Sequence, residues 1–205
     1  MIHFQWELLS DHRCRIRVST PRSVVGTLHR LTAAMYVLGL DVVSGNVRSE
    51  ERDGVIHTED DFVLESTRTS DPHISINEST ARLGELMETV LSPEMNVNSL
   101  LERYHASYPH PGDLFRAAHK LEFLEPAPQN LTRLHIQAPD RRGLLLHITR
   151  MIAAMGINIM HAMILTTSDG LADDSIDMQF QDAPLTKAHS DELVRRLEQG
   201  PALRS

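Results

Sequence analysis

Asp140, Arg141, Gly143 and Asn158 are residues whose types and spacing suit the capture of a small charged molecule. Asp140 follows Pro139 and precedes an apolar run with helical period, so it sits at a predicted helix start. A helix N-terminus offers free N–H groups and a partial positive charge that match a carboxylate. Gly143 would let a ligand approach the backbone without meeting a Cβ. Asn158 could bond an amino or carboxyl group, and Asp140 could pair with an ammonium. The same residues have a plainer reading, in which Asp140 caps the helix, Gly143 permits close helix–sheet packing and Asn158 satisfies a strand end. Arg141 and Arg142 read as solvated.

Other chemistry finds little support. There is no Gly-x-Ser-x-Gly turn and no phosphate loop, and Cys14 lies inside an alternating strand as a small apolar residue would, so no enzymatic activity is expected. The 12 histidines fit no zinc spacing, and neither a metal nor a cofactor is expected. His147 is placed on the exposed flank of its helix. The acidic runs Glu59-Asp60-Asp61 and Asp173-Asp174 are read as solvated where strands leave turns.

The elements that must position the turn follow from periodicity. Leu134 and Ile136 alternate with Arg133, His135 and Gln137, a strand with one buried face. Leu144, Leu145, Ile148, Met151, Ile152 and Met155 fall on one helical stripe, closed by Gly156. Extended structure restarts at Ile157. The two strands are expected to run parallel, with the helix covering their sheet.

At these residues the chain resembles the ACT domain family, small ferredoxin-like modules that bind amino acids and regulate a partner. Asp140-Arg-Arg-Gly-Leu-Leu is similar to that family's Asp-Arg-Pro-Gly-Leu-Leu turn, with Arg142 in place of the proline, and Gly156-Ile-Asn-Ile to its second signature. Thr166-Thr-Ser-Asp-Gly170 and Asp174-Ser-Ile-Asp-Met-Gln-Phe180 resemble more narrowly the paired ACT modules that end the bacterial PII uridylyltransferases. The resemblance implies ligand contacts at Asp140, Arg141, Gly143, Leu144, Asn158 and Ile159, and a homodimer.

The first half repeats the second. Gly26 and Gly39 stand 13 residues apart, as do Gly143 and Gly156, and Leu40-Asp-Val corresponds to Ile157-Asn-Ile. A strand from Ile2 to Leu8 pairs as a hairpin with one over Cys14, Ile16 and Val18; a helix spans Ser23 to Leu38; Glu50 to Gly54 turns a second hairpin; a helix runs from Asn77 to Leu91. Each unit therefore has a leading strand, and the fourth strand of each sheet may come from before the unit. The first turn is one residue longer, with Ser23 at the place of Asp140 and Asp41 at that of Asn158. Ser23, Gly26, Thr27 and Asp41 are accordingly expected to form a weaker second site.

The reading is an α+β chain of two tandem ferredoxin-like ACT modules of βαββαβ type. Residues 1–92 form the first, 93–119 a proline-containing connector that packs through Leu100, Leu101, Tyr104 and Tyr108, and 120–205 the second. The net charge of -8 argues against nucleic acid and anionic membranes, and the opening residues form neither a signal peptide nor a membrane span. A single cysteine suits a reducing cytoplasm. The expected function is non-catalytic sensing of a small amino acid, with altered self-association or association with a regulated protein partner. The alternative is a ligand-free interaction scaffold built from the same repeats.

Overall fold

Strand alternation sets the architecture. In Arg13–Thr20 the residues Cys14, Ile16 and Val18 are buried while the arginines between them face out, so one side of the sheet takes helices and the other stays open. The computed structural model describes residues 2–66, 75–115, 119–125, 127–128 and 130–200. The first half runs β1 (His3–Ser10), β2 (Arg13–Thr20), α1 (Thr27–Val37), β3 (Leu40–Arg52), β4 (Val55–Ser66) and α2 (Ile76–Val90). A connector carries α3 (Val97–Arg103) and α4 (Pro111–Leu114). The second half repeats the order with β5 (Lys120–Leu124), β6 (Thr132–Pro139), α5 (Leu144–Ala154), β7 (Asn158–Leu165), β8 (Leu171–Gln179) and α6 (Lys187–Gln199). The tail Pro201–Ser205, read as too short and polar for a closing strand, lies outside the described residues.

All eight strands join one antiparallel sheet in the order β1-β2-β4-β3-β7-β8-β6-β5. The leading strands β1 and β5 pair with β2 and β6 and form the two edges, so each half takes its fourth strand from before the unit. β6 and β7 do run in the same direction, but β8 lies between them and pairs antiparallel with both. At the centre β3 meets β7 with Asn46 opposite Met163. An offset of 117 residues relates Asn46 to Met163, Gly26 to Gly143, Thr32 to Thr149 and Asp41 to Asn158. The halves are thus related by a pseudo-dyad through the Asn46–Met163 pair.

The helices cover one face. α1 and α5 pack together at the pseudo-dyad, where the hydroxyls of Thr32 and Thr149 lie 2.9 Å apart. α2 flanks α1 and α6 flanks α5. Because α5 has neighbours on both sides as well as the sheet beneath, it is buried almost all round. His147 is therefore 1 % exposed rather than on an outer flank, and its Nε2 lies 2.8 Å from the Leu197 carbonyl of α6. Burial lowers its pKa, which keeps the ring neutral. One continuous apolar core runs through both halves. The connector packs onto it through buried Leu100, Leu101, Leu114 and Phe115, with α3 on α1 and α4 on α6.

Both glycine turns start their helices later than the sequence suggested. Gly26 and Gly143 each adopt φ 85° at the N-cap, and α1 begins at Thr27, not Ser23. Asp140 does not cap α5. Its Oδ2 accepts the Thr166 hydroxyl at 2.6 Å and its N–H donates to the Gly170 carbonyl at 2.9 Å, which ties the turn to the β7–β8 hairpin. Gly39 and Gly156 end their helices at φ 70° and 71°. Asp53 and Gly54, at φ 54° and 73°, make the two-residue hairpin turn between β3 and β4.

Candidate functional site

Each glycine turn faces the strand start of the other half. The sequence grouped Gly143 with Asn158 and Gly26 with Asp41, since these are near in the chain; the pseudo-dyad exchanges them. Gly143 shares a cavity of about 20 Å³ with Tyr36, Asp41 and Val42. Ser23, Gly26 and Thr27 share another of about 20 Å³ with Asn158 and Ile159. Arg141 is exposed, and Leu144 is buried in the core.

The two turns have the same local geometry. Thr27 N–H donates to the Val24 carbonyl at 3.0 Å, and Leu144 N–H to the Arg141 carbonyl at 2.9 Å. Their surroundings differ. A Cβ at Gly143 would lie 2.9 Å from Tyr36 Cε2 and 3.0 Å from Pro109 Cγ, so side chains of this chain already occupy the approach. Arg142 is half-buried, not solvated: it donates to the Tyr36 carbonyl at 2.9 Å, with its guanidinium 4.6 Å from the centre of the Tyr36 ring. Asp41 is pushed up to about 6, chiefly by burial and then by the charge of Asp140.

At Gly26 the residue related to Tyr36 is Ala153, whose Cβ lies 3.7 Å from the place a Cβ would take, with Arg30 Nη1 nearer at 3.4 Å. The smaller side chain leaves room. Outside the turn is an open groove of about 490 Å³, within the range of small-molecule sites, lined by Gly26, His29, Arg30, Tyr108, Arg150 and Ala153 among others. Arg30 is 7 % exposed, donates through Nη2 to Thr27 Oγ1 at 3.1 Å, and has no partner for Nε among the described residues. The Arg150 guanidinium stacks 3.6 Å from the Tyr108 ring centre, and the Tyr108 hydroxyl lies 3.2 Å from His29 Nε2. Burial, with Arg150 and Arg30 nearby, lowers His29 to about 4, so it is neutral at pH 7. Two cationic side chains beside a helix start, against the single acid Glu94 in the groove lining, suit a carboxylate.

Inside the turn, the cavity reaches Thr58 and Asp60 of β4. Both are 4 % exposed, and neither Thr58 Oγ1 nor Asp60 Oδ1 has a partner among the described residues. Burial alone raises Asp60 to about 8. The expectation that Glu59-Asp60-Asp61 is solvated fails at its centre, because alternation turns Asp60 to the side of Phe62 and Leu64. Asp174 fails in the same way. It is 2 % exposed and raised to about 7, first by burial, and it accepts the Leu165 N–H at 3.1 Å. Asp60 opposes Val18, and Asp174 opposes Ile136, so the two acids hold matching places in the two halves. Only the second has a protein donor among the contacts described.

A larger concavity of about 780 Å³ lies on the open face of the sheet, over β2, β4, β3 and β7. Its central charges are already matched: Arg15 lies 2.7 Å and Arg17 3.2 Å from Asp61. No group of histidine, cysteine and carboxylate residues that could hold a metal is found among the described residues, and no helix among them is long and apolar enough to cross a membrane.

No curated protein matches the chain. The model of the ACT domain family matches residues 129–202, a span that contains β6, α5, β7, β8 and α6. The matched span, with its glycine turn at Gly143 and the strand start at Asn158, is similar to the ACT domain family.

Proposed function

We propose that the chain is a non-catalytic regulatory protein in which two ACT-like modules bind a small amino acid at their seam. Binding would change its association with itself, as a homodimer, or with a protein partner. The observation that carries this reading is the turn at Gly26. It faces Asn158 of the other half across a cavity of mixed polar and apolar lining, beside a groove with two arginines. The similarity to the ACT domain family over residues 129–202 supports it, as does the repeated ββαββα order. The filled approach at Gly143 favours the Ser23–Thr27 turn over the Gly143 turn as the ligand site. Occupancy acts by favouring one arrangement of the modules, because only differential affinity shifts an equilibrium.

The test exploits the exchange of Tyr36 and Ala153. An amino acid at about a hundred times its dissociation constant stabilises the fold by roughly 2.7 kcal/mol, a resolvable rise in thermal midpoint. A panel of the amino acids should contain one or two that raise the midpoint of the wild type. Ala153→Tyr should abolish that response by filling the Gly26 approach, and Asn158→Ala should weaken it. A ligand-free scaffold is the second reading, favoured by Tyr36 and Pro109 over Gly143. It predicts no response to any amino acid and partner binding that ignores them.

A further inference from the structure

We infer that Asp60 and Thr58 form an ammonium subsite beneath the Gly26 turn. The cavity they line holds about 20 Å³, enough for one water-sized group. An ammonium is such a group, and it needs several acceptors around it. Asp60 Oδ1 and Thr58 Oγ1 are buried, unpartnered among the described residues, and share this cavity. A carboxylate without a hydrogen-bond donor is costly to bury, so a cationic donor is the group that relieves it. The matching acid of the other half, Asp174, has its donor in the Leu165 N–H and needs none from outside.

The surroundings select for a compact cation. Val47, Ile152, Ile157 and Ile159 supply apolar walls that exclude a bulky or heavily hydrated ion. His29 is the other titratable residue lining the cavity, and it is neutral at pH 7. Gly26, His29 and Ala153 line both the cavity and the arginine groove outside. An amino acid across this wall would place its ammonium on Asp60 and its carboxylate toward Arg30 and Arg150. The identity of the ligand rests on the amino-acid reading, while the subsite itself also suits a free ammonium ion. Since Asp60 carries a proton while the cavity is empty, taking up a cation at pH 7 releases close to one proton to buffer.

The experiment compares wild type with Asp60→Asn in thermal midpoint and calorimetric titration. The probes are the stabilising amino acid, its N-acetyl derivative, ammonium chloride and tetramethylammonium chloride. The expected result is binding of the free amino acid but not of its N-acetyl form. Asp60→Asn should weaken it at least tenfold. Titrations in buffers of different ionisation enthalpy should show about one proton released by wild type and none by the variant. If the amino acid binds Asp60→Asn within twofold of wild type, or the N-acetyl form binds equally well, the subsite is overturned and sensing stands. Should ammonium chloride alone stabilise wild type, more than tetramethylammonium and not in Asp60→Asn, the subsite stands and the amino-acid reading falls. With no probe active, both fall.

Discussion

Replacing Asp60 by Asn should change how stability depends on pH more than it changes stability at any one pH. In the unfolded chain this carboxyl titrates near about 3.9, whereas burial raises it to about 8 in the folded protein. Between those values the native state holds a proton that the unfolded state has lost. Stability therefore falls as pH rises, by about 1.4 kcal/mol per pH unit for this one group. The contribution is complete below the unfolded value and gone once pH has passed the folded one. Asn is nearly isosteric and does not titrate. Asp174, raised to about 7, and Asp41, raised to about 6, act in the same direction, but they are present in both proteins and cancel from the difference. Urea unfolding at half-unit intervals from about pH 5 to about pH 7.5 should thus show the Asp60→Asn variant gaining roughly 3 kcal/mol on wild type. With a slope near about 2 kcal/mol per molar urea, that is a relative midpoint shift of about 1.5 M. Parallel stability profiles for the two proteins would refute the burial of an unpaired carboxyl at this position, and with it the ammonium subsite.

Two further outcomes follow from the packing. Gly45 lies opposite Phe62 in the sheet, and a Cβ there would overlap the edge of the ring. Gly45→Ala should cost about 1–3 kcal/mol in equilibrium unfolding, as overpacking does, and a neutral result would mean the ring is free to move. Thr32 and Thr149 join α1 to α5 at the pseudo-dyad, while each also lies within reach of a backbone carbonyl of its own helix. Two hydroxyl protons are shared among the carbonyls of His29, Leu145 and Leu146 and the contact between the hydroxyls, so the link is modest. A double-mutant cycle with Thr32→Ala and Thr149→Ala should give a coupling of about 0.5–1.5 kcal/mol, and a coupling indistinguishable from zero would remove this contact from the seam.

Much of the fold was legible because strand and helix periods are local. The alternation of Cys14, Ile16 and Val18 and the paired glycines of each half appear in the structure where the sequence placed them. The hairpin turn expected over Glu50 to Gly54 narrows to Asp53-Gly54, because Glu50 to Arg52 stay paired in β3. The parity that buries Phe62 and Leu64 also buries Asp60, so that acid could have been found by counting back two residues at a time. It was missed because a run of three acids reads as a solvated patch. The pairing across the pseudo-dyad was not legible. It depends on β3 meeting β7, a contact between strands more than a hundred residues apart, which no local pattern specifies. The same holds for His147, whose burial depends on α6 packing beside α5.

The exchange of Tyr36 for Ala153 also bears on stoichiometry. Two identical modules brought together by symmetry would offer a ligand two equal places, with half-filled states and room for one binding event to influence the next. Joining unequal modules in one chain removes that degeneracy. On the proposed reading, a ligand at the Gly26 turn would fill one place per polypeptide, and its saturation curve within a single chain would be a simple hyperbola. Any steeper response must come from contacts between chains, so a Hill coefficient above unity would itself report assembly.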